Sequence, residues 1–390
     1  MDGRNNGYNL EGLQPRAPDP GFATSDKLMS ERARLFHANP WRGVFYVTGG
    51  GSDFIAEMLT TAGASRSVLE MTVPYANSAL TELLGRTPEQ ACSAATARTM
   101  AMAAFQRART LSDDKQGPAL FGLACTASLA TDREKRGKHR AHIAVQTEWE
   151  THSAEITLAG DRATEEAQLL DAIWVCINAT LDAQADAHHL PHPISTRRAE
   201  PVWRQVLLGE TPAAVSTDHD GGLIVSGSFN PLHAGHQGML SAAEAMTGRA
   251  GAFELSMLNA DKPPLDYHEV GVRLAQFNVP IWLTRLPTFV DKAEYFPNAI
   301  FAVGVDTITR IDAPRFYAGI AGRDAAIAQL AASGCSFLVF GRLDGDQFVH
   351  LEDVDLSAPL RRLCRAVPES VFREDISSTE LRGRATPSTV

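Results

Sequence analysis

The sequence predicts an α/β protein built in two units, an α/β sandwich followed by a doubly wound parallel sheet, and three observations carry that expectation. Helical and extended patterns alternate from Lys27 to about Ala183. A second series of short apolar runs, separated by helical stretches and loops, starts at Gly222. Between the two series, residues 184–221 carry Pro201, Pro212 and the stretch His188-His-Leu-Pro-His192, which break both patterns. The expected division is a tail over 1–25, a first domain over 26–183, a linker over 184–221 and a second domain over 222–390. A chain of 390 residues gives each domain enough length to bury its own core.

Residues 1–25, rich in Gly, Asn, Pro and Asp, lack periodicity and are read as a tail or an arm laid on another surface. Val44-Phe-Tyr-Val47 is a strand running into Thr48-Gly-Gly-Gly-Ser-Asp53, and Phe54 to Thr61 has a helical apolar face. Ser67 to Val73 is extended, Ala76 to Leu84 and Ala91 to Thr110 are helices, Ala119 to Cys125 and His142 to Val145 are strands, and Glu165 to Leu181 is the closing helix. In the linker, Val202 to Leu208 is amphipathic and suits a helix packed between the domains.

The second domain opens with Leu223-Ile-Val225, a glycine-bounded apolar run of the kind buried in parallel sheets, and Gln237 to Met246 follows with helical spacing. Phe253 to Leu258, Pro280 to Thr284, Ala299 to Val303 and Ser336 to Phe340 supply further strands. Pro287 to Lys292 reads as a loop, Val272-Arg273 as the start of a helix, and Pro314 to Ala332 as a helix.

The net charge is −10 and no run of Lys or Arg occurs, which argues against nucleic acid or an anionic membrane as the main partner. Five scattered cysteines without a Cys-x-x-Cys pair suit reduced, mostly buried thiols in a cytoplasmic protein. No stretch reaches the roughly 20 apolar residues of a membrane helix.

The chemistry concentrates between Gly222 and Met246, where strand, tight turn and helix follow one another. Gly227 permits close backbone approach, Pro231 stiffens the exit, and His233 and His236 stand three apart at the helix start. Free backbone N–H groups and the helix dipole favour an anion there, and imidazoles beside phosphate oxygens suit phosphoryl or nucleotidyl transfer.

Gly227-Ser228-Phe229-Asn230-Pro-Leu-His233-Ala-Gly-His236 resembles the signature of the nucleotidylyltransferase superfamily, in particular its nicotinate and nicotinamide mononucleotide adenylyltransferases. Ala299 to Asp306 is similar to that family's strand ending in Gly-x-Asp, and Ile376-Ser-Ser-Thr-Glu-Leu-Arg382 to its Ile-Ser-Ser-Thr-x-x-Arg. The resemblance implies a Rossmann-like second domain that transfers AMP from ATP to a phosphorylated acceptor, nicotinamide or nicotinate mononucleotide, with release of pyrophosphate and with Mg²⁺ as cofactor. It implies that His233, His236 and Arg382 act on the triphosphate, and that Gly227, Ser228, Phe229, Asn230, Gly304, Asp306, Ser377, Ser378 and Thr379 bind nucleotide. Lys262, after the second strand, is a further phosphate candidate, and the region of Arg273 often carries another. No counterpart of the aromatic residue that stacks on nicotinamide in many members is evident. Another acceptor, CTP in place of ATP, or a non-catalytic nucleotide sensor are the alternatives.

The first domain resembles the C-terminal domain of the CinA family, whose active members hydrolyse the amide of nicotinamide mononucleotide. Val73-Pro-Tyr-Ala-Asn-Ser-Ala-Leu-Thr-Glu-Leu-Leu-Gly85 and Gly160-Asp-Arg162 carry the likeness. The family's serine nucleophile and its lysine have no clear counterparts. Tyr46, with Thr48, Gly49 and Gly50, falls at the nucleophile turn, Ser52 is a shifted candidate, and Leu80 stands where the lysine is expected. Tyr75, Asn77 and the turn from Gly49 to Ser52 are therefore expected to form a degenerate pocket without amidohydrolase chemistry. The resemblance also implies a homodimer.

Overall fold

The structure is a computed structural model that describes residues 31–112, 119–132, 137–181, 192–259, 262–345 and 347–374. The expected tail and the histidines His188 and His189 lie outside the described residues. The described chain is α/β, with two large sheets. Among the described residues no helix is long and apolar enough to cross a membrane. Cys125, Cys176 and Cys335 are buried.

Helix α1 (31–36) leads into β1 (Arg42–Thr48), buried from Gly43 onward. Its continuous apolar run suits a strand covered on both faces, and it pairs in parallel with β2 (Val68–Thr72) and β3 (Leu120–Ser128). Three antiparallel strands, β4 (Arg140–Thr147), β5 (Glu150–Thr157) and β6 (Ile194–Arg198), complete the order β2-β1-β3-β4-β5-β6. Helices α2 (Ser52–Thr60) and α5 (Arg162–Leu181) cover one face, and α3 (Asn77–Leu84) and α4 (Ala94–Leu111) the other. Strand β5 had no apolar signal because its buried positions include Thr151 and His152. Neighbouring strands supply partners: Thr151 Oγ1 donates to Gln146 Oε1 at 2.5 Å, and His152 Nδ1 pairs with Thr196 Oγ1 at 2.9 Å.

The stretch expected as a linker is folded where it is described. β6 closes the first sheet, α6 (Pro201–Leu208) buries Trp203, Val206 and Leu207, and β7 (Ala213–Val215) pairs with the second sheet. Its prolines do not prevent this, because Pro201 sits in the first turn of α6, where no N–H is needed.

In the second sheet, β8 (Leu223–Ser226), α7 (Ala234–Thr247), β9 (Ala252–Ser256), α8 (Tyr267–Leu274) and β10 (Ile281–Thr284) run outward from the middle. The chain then returns through α9 (Phe289–Tyr295) to β11 (Ile300–Gly304), and continues through α10 (Val305–Ile311) and α11 (Gly319–Ala332) to β12 (Ser336–Phe340). A hairpin, β13 (Arg342–Asp344) and β14 (Gln347–Val349), and a short α12 (Ala358–Arg361) precede β15 (Cys364–Ala366). The order is β15-β12-β11-β8-β9-β10-β7, parallel except for β7. Chain direction across the sheet reverses between β8 and β11, which opens a crevice at their carboxyl ends. Helices α7 and α8 lie on one face, and α9, α10, α11 and α12 on the other.

Two readings are corrected here. Pro287 to Lys292 is not a loop: Thr288 and Asp291 cap each other reciprocally and open α9. Val272 and Arg273 end a helix, because Asp266 upstream accepts the Glu269 amide at 3.0 Å and sets the start of α8.

Helix α4 packs against both sheet units. Its Ala97, Met100 and Ala101 face the first sheet, while Met102 and Phe105 join the core of α6, α7, α8 and the second sheet. It lies so close to β3 that a Cβ on Gly122 would sit 2.2 Å from Ala101 O and Phe105 N. Gly122→Ala is therefore expected to lower stability by roughly 1–3 kcal/mol through forced separation of α4 from β3. The urea midpoint measures it, and an unchanged midpoint would refute the close packing.

Candidate functional site

The turn after β8 is built around a buried phenylalanine. Phe229 is 1% exposed and adopts φ 45, a left-handed conformation uncommon for such a residue. Its ring sits edge-on to His236, Phe253 and Phe277 at centroid distances of 5.0, 5.2 and 5.1 Å. A Cβ on Gly227 would lie 2.7 Å from that ring, so glycine is required for the ring to tuck under the turn. The Gly227 amide donates to Glu254 O at 3.1 Å, tying the turn to β9. Phe229 was expected to bind nucleotide; instead its buried ring anchors the turn, and Ser228 beside it is exposed.

His233 is the N-cap of α7, and its ring stacks on that of His236 with centroids 3.7 Å apart. The His233 amide donates to His236 Nδ1 at 3.3 Å, which places the proton of a neutral His236 on Nε2. Burial, reinforced by His233, pushes His236 down from 6.5 to about 4. Burial also lowers His233, against the pull of Glu374. His233 Nδ1 is buried and has no hydrogen-bond partner among the described residues. Neutral imidazoles thus stand at a helix start, where amides and dipole attract an anion.

Gly304 and Asp306 lie at the carboxyl end of β11, the strand beside β8 across the crevice. Gly304 is the N-cap of α10, and Asp306, in its first turn, meets Arg342 at 3.0 Å. Lys262 follows β9 on the same rim, where it forms an isolated bridge with Asn259 and is exposed. Arg273 is only 8% exposed and donates to Ser228 O at 3.0 Å and to Glu269 at 2.9 Å. It therefore holds the turn, where a phosphate ligand had been expected. Phe372 packs on Phe340 and beside Gly238, and the charge of Glu374 favours the protonated form of His233. The expectations for Ser377, Ser378, Thr379 and Arg382 fall outside the described residues.

Sequence reading missed Gln276, whose Nε2 donates to Phe229 O at 3.1 Å and whose Oε1 accepts the Leu232 amide at 2.8 Å. It also missed Lys292, buried against Glu254 at 2.7 Å, with Glu254 accepting in addition from Thr284 Oγ1 at 2.5 Å. No local pattern marks either, since the partners lie on other elements. Among the described residues no group of three or more His, Cys, Asp or Glu could hold a metal ion.

The corresponding turn of the first unit is arranged differently. Gly51 N and Ser52 N each donate to the Glu166 carboxylate at 2.8 Å, and Ser52 Oγ donates to it as well. A carboxylate from α5 thereby occupies the start of α2. A Cβ on Gly49 would lie 2.0 Å from Ala127 O, and one on Gly50 would lie 2.6 Å from Leu129. Tyr46 is buried, donates weakly to Glu70 at 3.4 Å, and is pushed up to about 12 by burial and then by Glu70. Leu80 is core. Tyr75 is 67% exposed, and Asn77 begins α3 at the surface. Thr48 Oγ1 donates to Pro74 O at 3.0 Å, so Tyr46, Gly49, Gly50, Ser52, Tyr75 and Asn77 share one end of the sheet. The turn itself is packed shut.

No protein-family model and no curated protein matches this chain. Among solved structures, the chain is similar to a competence-damaged protein (CinA) superfamily protein from Klebsiella pneumoniae, at 15% identity and a TM-score of 0.33, over 40% of this chain and 97% of that one. A competence/damage-inducible protein from Agrobacterium tumefaciens is 21% identical with a TM-score of 0.33, over 39% and 94%. A CinA superfamily protein from Escherichia coli is 18% identical with a TM-score of 0.31, over 43% and 96%. At these scores the likeness assigns neither family nor activity.

Two outcomes are expected. His236, held at about 4 in the fold, refuses a proton that the unfolded chain takes up near 6.5. Its contribution to stability is therefore present above about pH 6.5 and lost as pH falls toward 4. The urea midpoint should drop over that interval, and His236→Asn should make the drop shallower; parallel curves would contradict the assignment. Glu166→Ala is expected to cost about 1–3 kcal/mol by stranding the Gly51 and Ser52 amides, again read from urea unfolding.

Proposed function

We propose that the second sheet unit is a nucleotidylyltransferase that joins the AMP of ATP to a phosphorylated acceptor, with nicotinamide or nicotinate mononucleotide as the acceptor and pyrophosphate as the leaving group. The observation that carries this reading is the neutral His233–His236 pair at the start of α7, beside the crevice where strand order reverses. Polyphosphate bound there meets backbone amides and imidazole N–H donors together.

An acceptor phosphate oxygen attacks the α-phosphorus in line, the bond to the bridging oxygen of pyrophosphate breaks, and no covalent enzyme intermediate forms. His236 Nε2–H and the His233 ring steady the triphosphate as hydrogen-bond donors, and those bonds strengthen as charge builds on the leaving oxygens. Mg²⁺ would enter with ATP and screen the charge of its phosphates. Gly304 and Asp306 are assigned to the nucleoside hydroxyls or to placing the metal, and Ser378, Thr379 and Arg382 to the departing pyrophosphate. The first unit is read as having no amidohydrolase role, because Leu80 is core and Glu166 fills the turn.

The test is pyrophosphate release from MgATP or MgCTP with both pyridine mononucleotides and other phosphorylated acceptors, with mass spectrometry of the products. A dinucleotide is the expected product, and His236→Ala is expected to lower kcat by about 10²–10³, as for loss of one preorganised donor. Silence across the panel with a ligand-raised melting temperature would replace the enzyme by a nucleotide-binding sensor.

A further inference from the structure

Helix α8 and the residues just after it hold the backbone of the turn from Ser228 to Leu232 from behind. Arg273 of α8 donates to Ser228 O, and Gln276, two residues beyond α8, grips Phe229 O and the Leu232 amide. Helix α8 is held in turn by the first sheet unit. Arg98 of α4 reaches Asp266 at 3.3 Å and Glu269 at 3.2 Å, and Glu269 passes its other oxygen to Arg273 at 2.9 Å. The Tyr267 hydroxyl donates to Glu148 O at 2.6 Å, and its amide donates to Thr151 Oγ1 at 3.1 Å. The polar contacts thus run without a gap from Arg98 through Glu269 and Arg273 to Ser228.

We infer that Arg98 is a positioning residue for the Ser228–His236 turn, and that the first sheet unit braces that turn through α8. Arg98 is 8% exposed and Asp266 2%, so neither finds a substitute partner in water. Asp266 also caps α8, which means that loss of Arg98 strands a carboxylate at the very start of the helix that carries Arg273. At Asp266 burial raises the carboxyl against the pull of Arg98, whereas at Glu269 burial is outweighed by Arg273 and Arg98. Asp266 is accordingly the carboxylate that depends most on Arg98. The consequence for catalysis rests on the nucleotidyl-transfer reading; the mechanical consequence does not.

The experiment compares the full-length protein with Arg98→Met, Arg98→Lys, Arg273→Met and the Arg98→Met/Arg273→Met double variant. Amide hydrogen exchange across 227–236 is measured without ligand, together with affinity for inorganic tripolyphosphate. Arg98→Met is expected to speed exchange in 227–236 while β1 and β3 stay protected, and to weaken tripolyphosphate by about fivefold or more. Arg98→Lys should restore part of the protection, and the double variant should be no worse than Arg273→Met alone, since both cut one line of contacts. If Arg98→Met does not fold, Arg98→Met/Asp266→Asn removes the stranded carboxylate and gives the same exchange reading. Native exchange in 227–236 for whichever of these folds would overturn the brace, even if stability fell. No pyrophosphate release from the parent, with the exchange effect present, would overturn the proposed function and leave the brace standing.

Discussion

Helix α4 lies between two sheets, and most of the architecture follows from that constraint. An ordinary surface helix buries one stripe and gives the other to water. Here one side settles on β3 over Gly122, and the opposite side supplies Met102 and Phe105 to the core under the second sheet. Arg98 comes from the same helix and is nearly dry, so it requires carboxylates, and Asp266 and Glu269 of α8 provide them. Removing one member of such a buried group typically costs about 3–5 kcal/mol, while the intact group contributes little net stability. Its value lies in orientation: the two units meet in one way because the charges have one set of partners.

The same logic reaches the turn. Phe229 occupies a left-handed conformation that its neighbours must enforce, and three aromatic rings together with Gln276 and Arg273 enforce it. With the backbone held from beneath and behind, the exposed side of the turn presents Ser228, the imidazole pair and the first amides of α7. Burial keeps both rings neutral, and the His233 amide gives His236 a defined proton position. A site of that kind meets a polyphosphate without reorganising at the moment of reaction.

The two strand–turn–helix junctions of the molecule have opposite fates. At the start of α2 a carboxylate of the chain itself takes the amides, and glycines admit backbone and Leu129 so closely that the turn is full. At the start of α7, among the described residues, no carboxylate hydrogen bond to the first amides is seen; two imidazoles stand there, and Glu374 raises the pKa of His233 against burial. One junction is filled by a carboxylate of the chain, and the other carries two stacked imidazoles.

Local pattern alone made several elements legible. Strands β1, β8, β11 and β12 were readable because parallel strands buried on both faces are unbroken apolar runs, and the start of α7 was readable from Gly227, Pro231 and the paired histidines. Strand β5, the end of α8 and the capping role of Glu166 were not, because their buried polar groups are satisfied from afar, and strand β6 was not, because it is mostly exposed and polar. Ser52 and Glu166 are 114 residues apart, and Arg98 and Asp266 are 168 apart. The sequence by itself therefore determined the α/β class, the core strands and the imidazole-bearing turn, each of which depends on neighbours within a few residues. Tertiary structure alone decided that Phe229 is an anchor, that Arg273 serves the backbone, that Glu166 closes the first turn and that α4 ties the two sheets together. The physical reason is that a buried polar group is defined by its partner, and the partner's position in the chain leaves no mark in the local pattern.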